Sequence, residues 1–237
     1  MNFGASAKDY AKHRQGFPDS YFERVPLAGR VLDLGAGTGA LARGYAQRGA
    51  WTVALDISVA MLCEAADVPG RAVAKAEVIP FREGSFDAVT AGQCWHWFDG
   101  PAAAREARRV LRPGGKLVIA HYNYLPLPGS AAEASEALIL ERNPGWPLSG
   151  VMHMTGVWDE VVREAGFTAL QSQAWELDVP WSHEAWRGRM RACNGVLKMT
   201  EPLRADFDAA HAAMLAARFP EPVVVRHEVF ALGATAV

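Results

Sequence analysis

A glycine-rich run at residues 31–39, VLDLGAGTG, is the segment whose residue types best suit binding chemistry. Gly35 and Gly37 allow a tight turn between a strand and a helix, and they let the backbone approach a ligand closely. The helix that follows such a turn offers free N–H groups and the positive end of its dipole. Because these turns lie at the carboxyl edge of a parallel sheet, the run predicts a ligand site there.

An acidic residue, Asp56, closes the next apolar run, where a carboxylate can accept hydrogen bonds from ribose hydroxyls. The turn and this acid together indicate a cofactor that contains adenosine. They do not choose between such cofactors, because Gly35, Gly37 and Ala40 also satisfy the weak dinucleotide pattern G-x-G-x-x-G/A. A tight turn that binds nothing is the plainer alternative.

The elements that must position these residues alternate between strand and helix. A parallel sheet with helices on both faces is the expected result. The patterns predict strands at Arg30–Leu34, Trp51–Leu55, Val73–Val78, Phe86–Ala91 and Lys116–Ala120, and helices at Gly39–Gln47, Ser58–Ala66 and Pro101–Leu111. A turn at Pro113-Gly114-Gly115 precedes the last of these strands.

Beyond Ala120 the sequence predicts the end of the sheet and a helical cover within a single domain. The expected helices are Ala131–Glu141, residues 151–165, Ser182–Cys193 and Pro202–Arg218, and the expected strands are Phe167–Leu177 and Val223–Leu232. We divide the chain into an N-terminal lid (1–28), a cofactor-binding core (29–121) and an acceptor-side cover with the C-terminal strands (122–237).

Composition narrows the class of protein. A net charge of -2 and the absence of a basic face argue against a nucleic-acid partner. No uninterrupted apolar run is long enough for a membrane helix, so we expect no membrane partner. The cysteines, Cys63, Cys94 and Cys193, lack the spacing of a disulfide framework or a metal site, and we expect no metal and a cytoplasmic location.

Further segments resemble one enzyme family. They are Asp56-Ile57-Ser58 with Met61-Leu62, Ala76-Glu77 with Pro80-Phe81 and Ser85-Phe86-Asp87, Gln93 to Phe98 (QCWHWF), and Arg109 to Gly115 (RVLRPGG). With the glycine turn they are similar, in order and spacing, to the type 11 branch of class I S-adenosylmethionine (SAM)-dependent methyltransferases. The resemblance implies a Rossmann-like α/β fold with a seven-stranded, mostly parallel sheet and an antiparallel C-terminal edge. It also implies methyl transfer from SAM to O, N or C of a small molecule, leaving S-adenosylhomocysteine (SAH).

The resemblance assigns cofactor roles to individual residues. Asp33 would lie beneath the methionine part, Asp56 would accept the ribose hydroxyls, and Tyr10 with Arg14 would close over the carboxylate. The remaining contacts would come from Gly35, Ala36 and Gly37 on methionine and ribose, Ile57 and Met61 on adenine, Ala76 and Glu77 at the adenine edge, and Gln93 at the amino group. Lys75 departs from the family's usual Asp, so adenine recognition would rest on backbone groups.

The sequence says less about which residues bind the acceptor than about which bind the cofactor. His96 and Tyr122 are the candidate catalytic residues, with His121 and His153 as further candidate bases; a base is needed only if the acceptor's acidity requires one. Aromatic residues suit a planar or cationic acceptor, and we expect contacts from Trp97, His121, Trp158 and Trp186, with Trp181 nearby. Each has an ordinary alternative as a packing or backbone-bonded residue.

Two other functions stay open at this point. One is a protein of the same fold that does not methylate, either a SAM-fold binding module or a repurposed catalyst. The other is an NAD(P)-dependent oxidoreductase, which would leave the Pro113-Gly114-Gly115 turn and the C-terminal strand pair unexplained. A monomer and a homodimer are both compatible with the sequence.

Overall fold

The computed structural model describes residues 16–147 and 154–237. Its strands are β1 (Arg30–Leu34), β2 (Trp51–Asp56), β3 (Gly70–Val73), β4 (Phe86–Gly92), β5 (Leu111–Tyr124), β6 (Phe167–Trp181) and β7 (Val223–Ala236). Its helices are α1 (Asp19–Arg24), α2 (Ala40–Ala46), α3 (Val59–Cys63), α4 (Gly100–Val110), α5 (Ala131–Arg142), α6 (Asp159–Glu164), α7 (His183–Arg191), α8 (Asn194–Leu197) and α9 (Glu201–Arg218), with a 3₁₀ turn at Trp95–Trp97.

The seven strands form one sheet in the order β3-β2-β1-β4-β5-β7-β6. Strands β1 to β5 pair in parallel, which confirms the predicted α/β class. Strand β7 runs antiparallel to both β5 and β6, so the antiparallel strand lies one position inside the sheet and β6 forms the edge. In such a sheet the order reverses next to β1, and the crevice beside β1 and β4 is the usual ligand site.

Adjacent residues of the central strands face opposite layers of the core. On β1, Val31 belongs to the layer that includes α1 and the helical cover, whereas Leu32 belongs to the layer beneath α4 and α6. Ala88 and Val89 alternate in the same way on β4. This double burial explains why these strands read as continuous apolar runs, and it fixes where their carboxyl ends lie.

Several predicted boundaries are wrong. The third strand is Gly70–Val73 rather than Val73–Val78; its predicted range mostly follows the strand, because its apolar residues face the cavity described below. The helix expected from Ser58 to Ala66 starts with the predicted cap, Ser58 Oγ accepting from Met61 N at 3.3 Å, but ends at Cys63. The helix expected at residues 151–165 is only Asp159–Glu164 within the described residues.

Two other differences concern strands. The Pro113-Gly114-Gly115 turn is an irregularity inside β5, since Phe86 pairs with Leu111 and Ala88 then pairs with Lys116. Strand β6 continues four residues past Leu177 to Trp181, because β7 pairs with it without interruption from Gln171 to Trp181. Within residues 16–147 and 154–237, no helix is both long and apolar enough to cross a membrane.

Candidate functional site

One cavity of about 1120 Å³ opens at the carboxyl ends of β1, β2, β4 and β5. Two sets of residues line it. The first lies on the turns after β1, β2 and β3 and at the end of β4 up to Gln93, and we call this end the cofactor half. The second lies on the 3₁₀ turn at Trp95–Trp97, on the end of β5, on β7, on the α7–α8 region and on the segments before α1 and after α5, and we call this end the acceptor half. Pockets for one drug-sized ligand usually measure roughly 300–1,000 Å³, so this cavity has room for two small molecules side by side.

The glycine turn forms the floor of the cofactor half. Gly35 has φ +57° and Gly37 has φ +55°, a left-handed conformation that side chains disfavour. A Cβ at Gly35 would lie 2.9 Å from the Sγ of Cys94, whereas a Cβ at Gly37 would meet only the flexible end of Met61, at 3.3 Å. Gly35 is therefore required by packing, and Gly37 leaves its backbone open to the cavity.

The Asp56 carboxylate is fixed by two backbone N–H groups. Oδ2 accepts from Gly37 N at 2.8 Å, and Oδ1 accepts from Ser58 N at 2.8 Å. Each carboxylate oxygen can accept a further hydrogen bond, and Asp56 lines the cavity. The acid predicted to bind ribose hydroxyls therefore lies beside the glycine turn and is preoriented.

Asp33 is a buried acid with neutral partners. Its Oδ1 accepts from Thr90 Oγ1 at 2.9 Å, and its Oδ2 accepts from Ala42 N at 3.1 Å. Burial raises the pKa of Asp33 to about 7, against the lowering effect of these two hydrogen bonds and with a small further rise from Asp56. The carboxyl faces the cavity, so its charge near neutral pH depends on what lies above it.

Apolar side chains are exposed where the cofactor half widens. Ile57 and Val78 are each 69% exposed, and both line the cavity with Met61 and Ala76. Exposed apolar side chains of this kind are typical of a ligand slot. Glu77 also lines it, but its Oε1 accepts from Asp99 N at 3.0 Å, so its carboxylate serves in part to hold the start of α4.

Gln93 links the two halves. It has φ +65°, an unusual conformation for a residue other than glycine, and such strain is often kept at functional sites. Its backbone N donates to Ala120 O at 2.9 Å, and its Nε2 donates to the carbonyl of Tyr122. The side chain therefore ties the end of β4 to the end of the neighbouring strand β5 at the wall of the cavity.

His96 and Tyr122, the candidate catalytic residues, both line the cavity. His96 is exposed, and its ring centroid lies 5.6 Å from that of His121, which in turn stacks on Trp158 at 5.2 Å. Burial raises the pKa of Tyr122 to about 12, so its hydroxyl keeps its proton at neutral pH. Tyr122 can then donate a hydrogen bond but cannot act as a base.

Two predicted acceptor contacts do not lie on the cavity wall. Trp186 is fully buried, and its Nε1 donates to Ser135 Oγ at 3.0 Å, so it is a core residue on the buried side of α7. Trp158 lies behind His121 and packs against it. Trp97, His121 and Trp181 do line the cavity. Tyr10, Arg14 and His153 lie outside the described residues.

Several wall residues of the acceptor half are not predicted from the sequence: Phe17, Trp146, Arg189, Asn194, Lys198 and His227. They come from α7, α8, β7 and the segments before α1 and after α5, which are far apart in the sequence. Helical spacing offered one signal. Arg187 and Arg191 share a face of α7 with Glu184 and bind it and Asp208, which leaves Arg189 on the other side.

No group of three or more His, Cys, Asp or Glu residues is placed to hold a metal ion within residues 16–147 and 154–237. The polar groups that line the cavity include backbone N–H groups, carboxylates bonded to them, imidazoles, amides, the Tyr122 hydroxyl and cationic side chains. This set suits hydrogen bonding to an organic ligand.

The sequence of the central region matches a known family. Residues 32–119 match Methyltransf_11, a methyltransferase domain. An uncharacterised methyltransferase of Mycobacterium tuberculosis is 41% identical over 122 residues, which cover 49% of this chain and 50% of that protein. A demethylmenaquinone methyltransferase of Mycolicibacterium vanbaalenii is 44% identical over 97 residues, or 40% of this chain and 42% of that protein. The chain thus spans about half the length of the curated relatives it matches.

The fold is similar over nearly the whole chain. A structure assigned as a type II methyltransferase from Anaeromyxobacter dehalogenans superposes with a TM-score of 0.69 and 24% sequence identity. The match covers 94% of this chain and 97% of that one. The similarity therefore includes β6, β7 and the helical cover, beyond the region that the sequence comparisons reach.

Proposed function

Because residues 32–119 match the Methyltransf_11 methyltransferase domain, we propose that this protein transfers a methyl group from SAM to a small-molecule acceptor. One cavity carries the proposal: it joins the glycine turn and Asp56 at one end to His96 and Tyr122 at the other. A donor and an acceptor bound in one cavity can be held in reacting geometry, which is the main demand of methyl transfer.

The cofactor half fits SAM by its shape and hydrogen-bonding groups. Gly37 carries no Cβ where its backbone faces the cavity, and Asp56 presents a carboxylate already aligned by two N–H groups. Ile57 and Val78 offer the apolar surface that a purine requires. We assign the ribose to Asp56, the base to Ile57, Met61 and Ala76, and the methionine end to Gly35, Ala36 and Gln93.

When bound, SAM supplies a methyl group activated on a positively charged sulfonium. Asp33 lies beneath the floor of this half with a pKa of about 7. A cation above the floor favours the ionised carboxylate, so we propose that Asp33 loses its proton as the positively charged cofactor binds. The predicted roles of Tyr10 and Arg14 in closing this half remain proposals from the sequence.

In the acceptor half, Tyr122 and His96 have different roles. Tyr122 keeps its proton, so we assign it to donate a hydrogen bond that orients the acceptor. His96 is exposed on the cavity wall and is the proposed proton acceptor for acceptors whose reacting atom carries a proton. Aromatic walls of this kind would limit the access of water to the reacting atoms once both molecules are bound.

Ligand titration tests the cofactor assignment directly. We expect SAH and SAM to bind in calorimetry and to raise the melting temperature, whereas NAD⁺ and NADP⁺ do neither. Binding of NAD⁺ or NADP⁺ without SAH would contradict the proposal and favour an oxidoreductase.

Turnover separates a methyltransferase from a SAM-fold protein that does not methylate. Incubation with methyl-labelled SAM and a metabolite extract should release SAH and label a small molecule. Tight SAH binding without any labelled product across such extracts would favour the non-methylating alternative.

A further inference from the structure

Arg189 differs from the other arginines of α7. Arg187 and Arg191 bind Asp208 and Glu184 with hydrogen bonds of 2.5 to 3.1 Å. Arg189 lies on the opposite side of the helix, is partly buried and lines the acceptor half of the cavity. Among residues 16–147 and 154–237, its guanidinium makes no hydrogen bond and no ion pair.

One contact holds the Arg189 guanidinium in place. Its Cζ lies 5.3 Å from the ring centroid of Tyr124, and the Tyr124 hydroxyl donates to the buried Glu136 at 2.9 Å. The tyrosine ring is therefore fixed, and the guanidinium rests on it through a cation–π contact. That contact uses none of the N–H groups of the guanidinium, which remain available to a ligand.

The charge of Arg189 acts on the acceptor half. It opposes the effect of burial on the Tyr122 hydroxyl and lowers the pKa of Tyr122 from what burial alone would give. It also adds to the burial that lowers the pKa of His227 to about 4, so His227 is neutral at physiological pH. Lys198 is the other cationic side chain on the described wall of this half, and it is exposed.

Aromatic side chains form much of the rest of this half. Trp181 stacks on His227 at a centroid distance of 5.9 Å and an interplanar angle of 19°, and Trp146 and Tyr122 also line the space. An aromatic slot with one fixed guanidinium is suited to a planar molecule that carries an oxyanion.

We propose that Arg189 binds a carboxylate or phosphate group of the acceptor, so that the acceptor of this enzyme is a planar aromatic acid. The proposal rests on the proposed methyltransferase function and specifies its substrate class. A guanidinium binds an oxyanion through two parallel N–H···O bonds, which would fix the acceptor's orientation as well as its affinity.

The test measures binding to protein saturated with SAH, by calorimetry. The probes are one- and two-ring aromatic carboxylic acids, each paired with its primary amide, and aryl phosphates, each paired with its parent phenol. We expect at least one acid or phosphate to bind at least about tenfold more tightly than its neutral partner, since hydrogen bonds between charged groups contribute about that much or more. The two probe sets show which oxyanion is preferred.

Variants then assign the preference to a residue. Arg189→Met should reduce the preference to about twofold or less, while SAH affinity stays unchanged. The matched control, Lys198→Met, removes a positive charge from the same cavity and should keep the preference. If Arg189→Met does not fold by circular dichroism, Arg189→Lys replaces it, and a clearly reduced preference supports the proposal because an ammonium cannot form the two-bond fork.

Three results would overturn the proposal. They are equal binding of every acid or phosphate and its neutral partner, a preference retained in the Arg189 variant, and a preference lost in Lys198→Met alone. Absence of SAH binding is a different failure, since it removes the proposed function itself. Binding of SAH without any preference for acids would overturn only the assignment of Arg189.

Discussion

The two halves of the cavity are built from different parts of the polypeptide. In the cofactor half, backbone geometry does most of the positioning: Gly35, Gly37 and Gln93 have positive φ, and Asp56 is aligned by backbone N–H groups. In the acceptor half, the ligand would be positioned by side chains such as Tyr122, Arg189 and His227, which come from β5, α7 and β7. A cofactor shared by a family suits a fixed backbone cradle, whereas an acceptor specific to one enzyme suits replaceable side chains.

The largest effect should come from adding a side chain to the backbone cradle. Gly37→Val places a branched side chain where the backbone faces the cavity, at φ +55°. We expect SAH affinity to fall by about a hundredfold or more, because the ligand and the side chain compete for the same space. Calorimetry on the folded variant measures it.

Gly84→Val is the matched control for this substitution. Gly84 has φ +64°, and no atom lies within 4 Å of a Cβ added there. Both variants carry a similar strain of about 1–2 kcal/mol, but only Gly37→Val should lose SAH binding. Equal SAH affinity in the two would show that the turn does not contact the cofactor.

A pH titration tests the buried acid beneath the cofactor half. The pKa of Asp33 is about 7 in the folded protein, against an ordinary value of 3.8 for an aspartate in the unfolded chain. The folded state therefore holds a proton that the unfolded state releases, and this stabilisation is lost as the pH rises through about 7. Between about pH 5 and about pH 8, the loss should be about 2–3 kcal/mol.

Asp33→Asn removes the titration while keeping the shape of the side chain. The free energy of unfolding of the wild type, measured relative to that of the variant, should fall as the pH rises over this range. Other titrating groups are common to both proteins and cancel in the difference. A difference independent of pH would mean that Asp33 does not hold a proton near neutrality.

The next largest effect on SAH affinity should come from removing the Asp56 carboxylate, which we assign to the ribose. Asp56→Ala removes an acceptor of charge-assisted hydrogen bonds, and we expect SAH affinity to fall at least about tenfold. Asp67→Ala is the control, because Asp67 is exposed and pairs with Arg43 in a surface ion pair of small energetic value. Unchanged affinity in Asp56→Ala would remove Asp56 from the cofactor half.

The smallest effects on binding should come from replacing Trp97 or Trp186 by phenylalanine. The pair of variants tests which of the two tryptophans contacts the acceptor. Trp97 is 51% exposed on the cavity wall, whereas Trp186 is fully buried. Trp97→Phe should leave stability within about 0.5 kcal/mol and raise the acceptor KM about two- to fivefold. Trp186→Phe should lower stability by about 1–3 kcal/mol and leave the KM unchanged. The opposite pattern would place Trp186 in the site.

The difference between the halves also explains what the sequence could predict. The strand Arg30–Leu34, the glycine turn and the acid at position 56 are local features, and the structure has them where the sequence predicts. Turn geometry and double-sided burial act over a few residues, so they are visible in a short window of sequence.

The acceptor half depends on tertiary contacts between residues that are far apart in the sequence, so no short stretch of sequence reveals them. Whether Trp186 faces the cavity or the core depends on how α7 lies against β6 and α9, and its hydrogen bond to Ser135 is made with α5. The position of Arg189 on the cavity wall depends on the same packing of α7. The prediction of the third strand failed for a related reason. Val73 is the last residue of the strand, and the apolar residues that follow it, such as Val78, line the cavity instead of pairing with β2, so their pattern resembles that of a strand.

Strand β7 has a consequence for how the chain reaches its native state. It lies between β5 and β6, and within the described sheet β6 pairs only with it. Until residues 223–236 have been synthesised, β5 keeps an open edge and β6 has no neighbour. Pairings such as Lys116 with Thr235 join distant parts of the chain, and such contacts form slowly. The open edge of β5 is therefore exposed to other chains during synthesis, and the newly made protein is most prone to aggregate before its last strand inserts.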